Sequence, residues 1–167
     1  MPADKFTLLQ QRFGYKTFRP GQETLIDAIL NGRDALGIMP TGAGKSLCYQ
    51  IPALAQDGLS LVISPLISLM KDQVDALVQA GAPAACLNAS LDAATCHQVM
   101  DQVADGFCNL LYITPERLEN PGFLHFIQSI PVAFVTVDEA HCVSQWGQDF
   151  RPSYLAVASF VAGLPKR

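Results

Sequence analysis

Short apolar runs at about residues 35–39, 59–63, 84–87, 109–113 and 132–137 alternate with stretches of helical period, and this alternation constrains the fold most. The helical stretches are expected at about 4–13, 20–31, 44–55, 66–80, 91–104, 122–129 and 153–161. Turn signals fall between them, at Asn31-Gly32, Asp57-Gly58, Gly81-Ala82-Pro83 and Asp105-Gly106. Strands separated by helices imply an α/β fold, a parallel sheet covered by helices on both faces. The 167 residues have room for one such domain, and half of them are hydrophobic. No apolar stretch reaches the roughly 18 residues that cross a membrane, and Met1 to Gln11 lack the apolar core of a signal peptide. The five cysteines are odd in number and lack C-x-x-C spacing, so reduced thiols in a cytoplasmic protein are expected. A net charge of −4 gives no whole-domain signal for nucleic acid. Any such binding must be local or shared with other surface.

The chemistry concentrates at two strand ends. After the apolar run Ala35 to Met39 comes Pro40-Thr41-Gly42-Ala43-Gly44-Lys45-Ser46, followed by a helix-forming segment. Gly42 and Gly44 let the backbone curl so that N–H groups of Thr41, Ala43 and their neighbours point at phosphate oxygens. The helix N-terminus adds its positive dipole end. Lys45 would reach the β- and γ-phosphates, and the Ser46 hydroxyl would ligate Mg²⁺. The strict phosphate-loop pattern asks for Gly where this chain has Met39. An ordinary glycine-rich turn is the alternative for the heptapeptide taken alone.

The second end is Val132 to Val137, which leads into Asp138-Glu139-Ala140-His141. Two adjacent carboxylates at the tip of a buried strand are costly without a cation, and ligands of open α/β sheets bind outside the carboxyl ends of the strands. Asp138 is therefore placed to hold Mg²⁺, directly or through water, and Glu139 to orient and deprotonate an attacking water. Lys45, Asp138, Glu139 and His141 form the candidate catalytic set. A surface turn with two acids is the alternative, but it does not account for a Lys-Ser loop upstream. Together the two ends point to nucleoside triphosphate hydrolysis.

Further segments carry a family resemblance. They are Phe13-Gly14-Tyr15, Phe18 to Gln22, Met39 to Gln50, Ser64 to Gln73, Leu111 to Arg117 and Asp138 to Pro152. Over essentially its whole length the chain resembles the RecQ family of superfamily 2 DNA helicases. In that light Met39 is a family feature, and Ser144 to Pro152 is similar to the aromatic-rich loop that marks the family. The resemblance implies a P-loop NTPase of RecA-like fold, with residues 1–167 as the first RecA-like lobe, incomplete at its C-terminal side. It implies ATP and Mg²⁺ as cofactors, with Tyr15 and Arg19 sandwiching adenine by stacking and cation–π contact. Gln22 would accept from and donate to the adenine edge.

For single-stranded and forked duplex DNA, Trp146 and Phe150 offer stacking faces, with Arg151 beside them. Ser64, Ser68, Lys71, Gln73, Thr114 and Arg117 match the family's strand-backbone contacts, although a solvated helix face accounts equally well for Lys71. The loop begins close to Glu139, so strand contact could be felt at the hydrolytic carboxylate. Gln148 stands where the family usually has His, and Gln cannot take up a proton.

The resemblance also implies parts outside these residues. They are a second RecA-like lobe with an arginine finger, a zinc-binding region, and a strand ending in Ser-Ala-Thr between the phosphate-loop strand and the Asp-Glu strand. Without that strand, apolar edges should be exposed or filled by rearrangement. The implied parent is a cytoplasmic, bacterial-type, nucleoid-associated 3′-to-5′ DNA helicase of recombination and repair. The 167 residues alone are expected to bind ATP and single-stranded DNA only weakly and not to unwind duplexes. Rival readings are a DEAD/DEAH-type RNA helicase and a non-catalytic binding module.

Overall fold

The computed structural model describes residues 3–40 and 42–165. Its elements are α1 (Lys5–Phe13), α2 (Gln22–Leu30), α3 (Leu47–Ala55), β1 (Leu59–Ile63), α4 (Ile67–Gln79), β2 (Ala84–Leu87), α5 (Ala93–Ala104), β3 (Leu110–Ile113), α6 (Pro121–Gln128), β4 (Val132–Val137) and α7 (Leu155–Gly163). Short 3₁₀ turns at Pro115–Glu119, Ala140–Val143 and Pro152–Tyr154 follow the tips of β3 and β4. Helix ends match local signals. The Asp4, Asp92 and Asn120 side chains each accept a bond from a first-turn N–H, and Gly14 closes α1 in the left-handed region.

The four strands form a parallel sheet in the order β2-β3-β1-β4. Side chains of successive strand residues leave opposite faces, and both faces are covered. Leu59, Leu61 and Ile63 of β1, with Leu111 and Ile113 of β3, pack with Val103 of α5, Phe123 and Ile127 of α6 and Val157 of α7. Val62, Leu110 and Tyr112 turn the other way, onto Tyr49 and Ala53 of α3 and Met70 and Leu77 of α4. Leu8, Leu9 and Ile26 of α1 and α2 extend the core over Ile51 and Ala55 of α3.

One expected strand does not form. Residues 33–40 pair with no strand, and Leu36 and Ile38 are 78% and 90% exposed. The segment runs against α2 at Gly37, where a Cβ would meet Leu25 Cδ1 at 2.7 Å. A strand exists only through its ladder, and none of the described strands pairs with this segment. Among the described residues, β4 has β1 on one side and no strand on the other. The consequence is graded burial. Every residue of β1 and β3 is buried, whereas every residue of β4 is half-buried.

Candidate nucleotide and strand-binding site

The segments with chemistry converge at the carboxyl ends of the strands. Gly42 and Gly44 have φ of 80° and 76°, a curl that glycine adopts without penalty. Thr41 lies outside the described residues. The curl is clamped from α2. Arg19 Nη1 donates to the Gly42 carbonyl at 2.6 Å, and Gln22 Nε2 donates to the carbonyls of Gly44 at 2.9 Å and Ala43 at 3.4 Å. The other end of the Gln22 amide accepts from Arg19 N at 2.8 Å. Gln22 is buried, and a Cβ on residue 44 would strike its Nε2 at 2.5 Å. Here, then, the Gln22 amide serves the loop backbone rather than presenting a free edge. Tyr15 and Arg19 are exposed.

Lys45 faces the acidic strand end. Lys45 Nζ lies 3.4 Å from Glu139 Oε1. Asp138 continues the ladder, its N–H donating to the Ile63 carbonyl at 2.9 Å, and its carboxylate accepts from Glu139 N at 3.0 Å. Burial pushes the Asp138 carboxyl above the usual range, and that backbone bond and Lys45 only partly oppose it. A carboxylate and a serine hydroxyl are oxygen donors of the kind Mg²⁺ takes, and the desolvated charge of Asp138 suits a cation. These residues fit the metal.

Glu139 is the one non-glycine residue with positive φ among those described, at 53°. This backbone turn sends its carboxylate sideways, to Lys45 and to His141 Nδ1 at 3.4 Å. His141 Nε2 in turn lies 3.5 Å from Asp149 Oδ2. A polar chain thus runs Lys45–Glu139–His141–Asp149, from the phosphate loop into the aromatic-rich loop. The sequence reading missed Asp149. Its signal was visible, an acid three residues beyond Trp146, but nothing one-dimensional pairs it with His141. The loop is anchored by Arg151 N donating to the Cys142 carbonyl at 3.0 Å and by the buried Tyr154, whose hydroxyl donates to the Asp138 carbonyl at 2.8 Å.

Trp146 is 97% exposed at the loop tip, with Phe150 and Arg151 half-buried behind it. Lys71 and Ser68 are exposed on α4. Ser64 and Thr114 are buried, and Arg117 bonds the Asn88 carbonyl at 3.4 Å, so these three face structure rather than a ligand here. Gln73 also turns inward, donating to Ser46 Oγ at 3.1 Å. All five cysteines are free, and no described helix is long and apolar enough to cross a membrane.

A parallel sheet with paired acids at one strand tip, and a clamped phosphate loop whose lysine meets them, defines a P-loop nucleotide-binding domain. Residues 19–167 match the DEAD/DEAH box helicase family, and the chain belongs to that family. It is 52% identical over 159 residues to the ATP-dependent DNA helicase RecQ of Haemophilus influenzae, covering 95% of this chain and 26% of that protein. It is likewise 52% identical over 149 residues to the RecQ of Bacillus subtilis, covering 89% of this chain and 25% of that one. A solved structure described as a hypothetical ATP-dependent RNA helicase from Sulfolobus tokodaii shares the fold. Its TM-score is 0.57 at 17% identity, over 96% of this chain and 55% of that one.

Proposed function

We propose that these residues are the first RecA-like lobe of a RecQ-type, ATP-dependent 3′-to-5′ DNA helicase of recombination and repair, and that alone they bind ATP and single-stranded DNA without unwinding duplexes. The observation that carries the reading is the chain Lys45–Glu139–His141–Asp149, which joins the phosphate loop to an exposed aromatic loop. A hydrolytic carboxylate in reach, through one imidazole, of a strand-facing loop is suited to coupling strand contact to turnover.

In this reading Tyr15, Arg19 and Gln22 surround adenine, with Gln22 exchanging its weak bond to the Ala43 carbonyl for one to the base. Gly42, Ala43 and Gly44 present backbone N–H groups to phosphate oxygens. Lys45 leaves Glu139 for the β- and γ-phosphates, and the freed Glu139 orients the attacking water and takes its proton. That water's oxygen bonds to the γ-phosphorus as the bond to the bridging oxygen breaks. Ser46 and Asp138 would hold Mg²⁺, which when bound neutralises phosphate charge. Lys71, Trp146, Phe150 and Arg151 meet the strand, with bases stacked on the aromatic faces. A second lobe supplies the arginine finger, and any zinc belongs to regions beyond this lobe. The β4 edge without a strand partner among the described residues, together with the unpaired 33–40 segment, supports completion of the sheet by further residues of the same polypeptide.

The test is anisotropy of labelled oligonucleotides titrated with the chain. Stacking is worth roughly 1–3 kcal/mol per base, so Trp146→Ala should weaken single-stranded DNA binding at least about fivefold. Its thermal midpoint should not move, because the indole touches almost nothing. Equal binding by wild type and variant, or a clear preference for RNA, would refute the assignment.

A further inference from the structure

Helix α4 meets the phosphate loop through Gln73. Gln73 sits half-buried on its inner face, with Met70 and Leu77 in the core, while Ser68 and Lys71 face solvent. Its amide is used at both ends. Nε2 donates to Ser46 Oγ at 3.1 Å, and Oε1 accepts from Gln50 Nε2 at 2.7 Å. Gln50 is buried and also donates to the hydroxyl of buried Tyr112 on β3, at 3.0 Å. In this arrangement the Gln73 oxygen faces Gln50 Nε2 and the Gln73 nitrogen faces Ser46, so the amide ties the serine to the buried Gln50–Tyr112 pair.

This has a consequence at Ser46. A hydroxyl oxygen has two lone pairs and one proton. With one lone pair accepting from Gln73, one remains for a cation, and the proton must point elsewhere. A free serine hydroxyl would rotate among three staggered positions. We propose that Gln73 is a positioning residue that fixes the Ser46 hydroxyl with a lone pair toward the divalent cation of the nucleotide site. This rests on the reading of Ser46 as a metal ligand given under Proposed function. It replaces the strand-backbone role expected for Gln73 from the sequence.

The experiment titrates Mg²⁺ into the chain with a fluorescent mant-ATP probe, alongside binding in EDTA. Partners that orient metal ligands typically contribute 10–100-fold in metal affinity. Gln73→Ala should therefore raise the half-saturating Mg²⁺ by about tenfold, with mant-ATP affinity in EDTA unchanged. Gln73→Glu should shift it the opposite way. A carboxylate cannot donate to Oγ, takes the Ser46 proton instead, and leaves both lone pairs and an added negative charge for the cation. Far-UV circular dichroism confirms that each variant is folded. An unshifted Mg²⁺ titration in Gln73→Ala, or equal weakening by both variants with and without Mg²⁺, refutes the positioning role alone. A wild-type chain whose mant-ATP binding ignores Mg²⁺ refutes the metal-site reading and this role with it.

Discussion

Replacing Leu36 and Ile38 with serine tests the unpaired segment before the phosphate loop. Full burial of such a side chain is worth about 1.5–3 kcal/mol. Ile38, at 90% exposure, realises about a tenth of that, near 0.2–0.3 kcal/mol, and Leu36, at 78%, about 0.3–0.7 kcal/mol. The double variant should thus lose less than about 1 kcal/mol. Leu61→Ala, at a fully buried site in β1, should lose about 2–5 kcal/mol. Urea unfolding followed by far-UV circular dichroism measures both. The slope of free energy on denaturant should stay constant in the double variant, because it alters no buried surface. The serine pair should also reduce self-association, since it removes exposed apolar surface. A loss of 3 kcal/mol or more in the double variant would mean that residues 35–39 are a packed strand in solution, and the reasoning would fail.

Two other perturbations probe the acidic strand end. Tyr154→Phe deletes the hydroxyl that donates to the Asp138 carbonyl, leaving a buried acceptor unmet, and should cost about 1–3 kcal/mol in urea unfolding. Asp138→Asn removes a carboxyl whose folded pKa lies above its ordinary value because it is buried. In that window the native state holds more protons than the unfolded one, so this group's contribution falls as pH rises from the ordinary aspartate value through the folded one. The wild type minus Asp138→Asn stability difference should therefore turn against wild type with rising pH. Saturating Mg²⁺-nucleotide should reverse it. A pH-independent difference would show that Asp138 is not desolvated.

The sequence made the sheet legible because parallel strands buried on both faces are continuous apolar runs, as β1 and β3 are, set off by turn residues. Strand 35–39 was misplaced for a physical reason. Its pattern is that of a buried strand, but pairing depends on a neighbour, and no pattern within the segment reports whether the neighbour is there. The meeting of the phosphate loop with the acidic strand end was legible, and Lys45 does lie against Glu139. The site was illegible where a side chain has two possible partners. Gln22 and Gln73 read as ligand contacts, yet both bond the phosphate loop, because a buried amide bonds to whichever donors and acceptors the fold brings nearest. Asp149 became visible only once β4 and its 3₁₀ turn carried His141 to within reach of the aromatic loop.

The central claim is that residues 40–46 and the Asp138–Glu139 strand end form one nucleotide site. Isothermal titration of ATP into the chain with Mg²⁺, for wild type and Lys45→Ala, tests it most directly. The account predicts saturable wild-type binding, favoured over GTP, that Mg²⁺ strengthens and that weakens at least tenfold in Lys45→Ala, with the fold retained. Binding that is indifferent to Lys45→Ala, or absent from a folded wild-type chain, would contradict it.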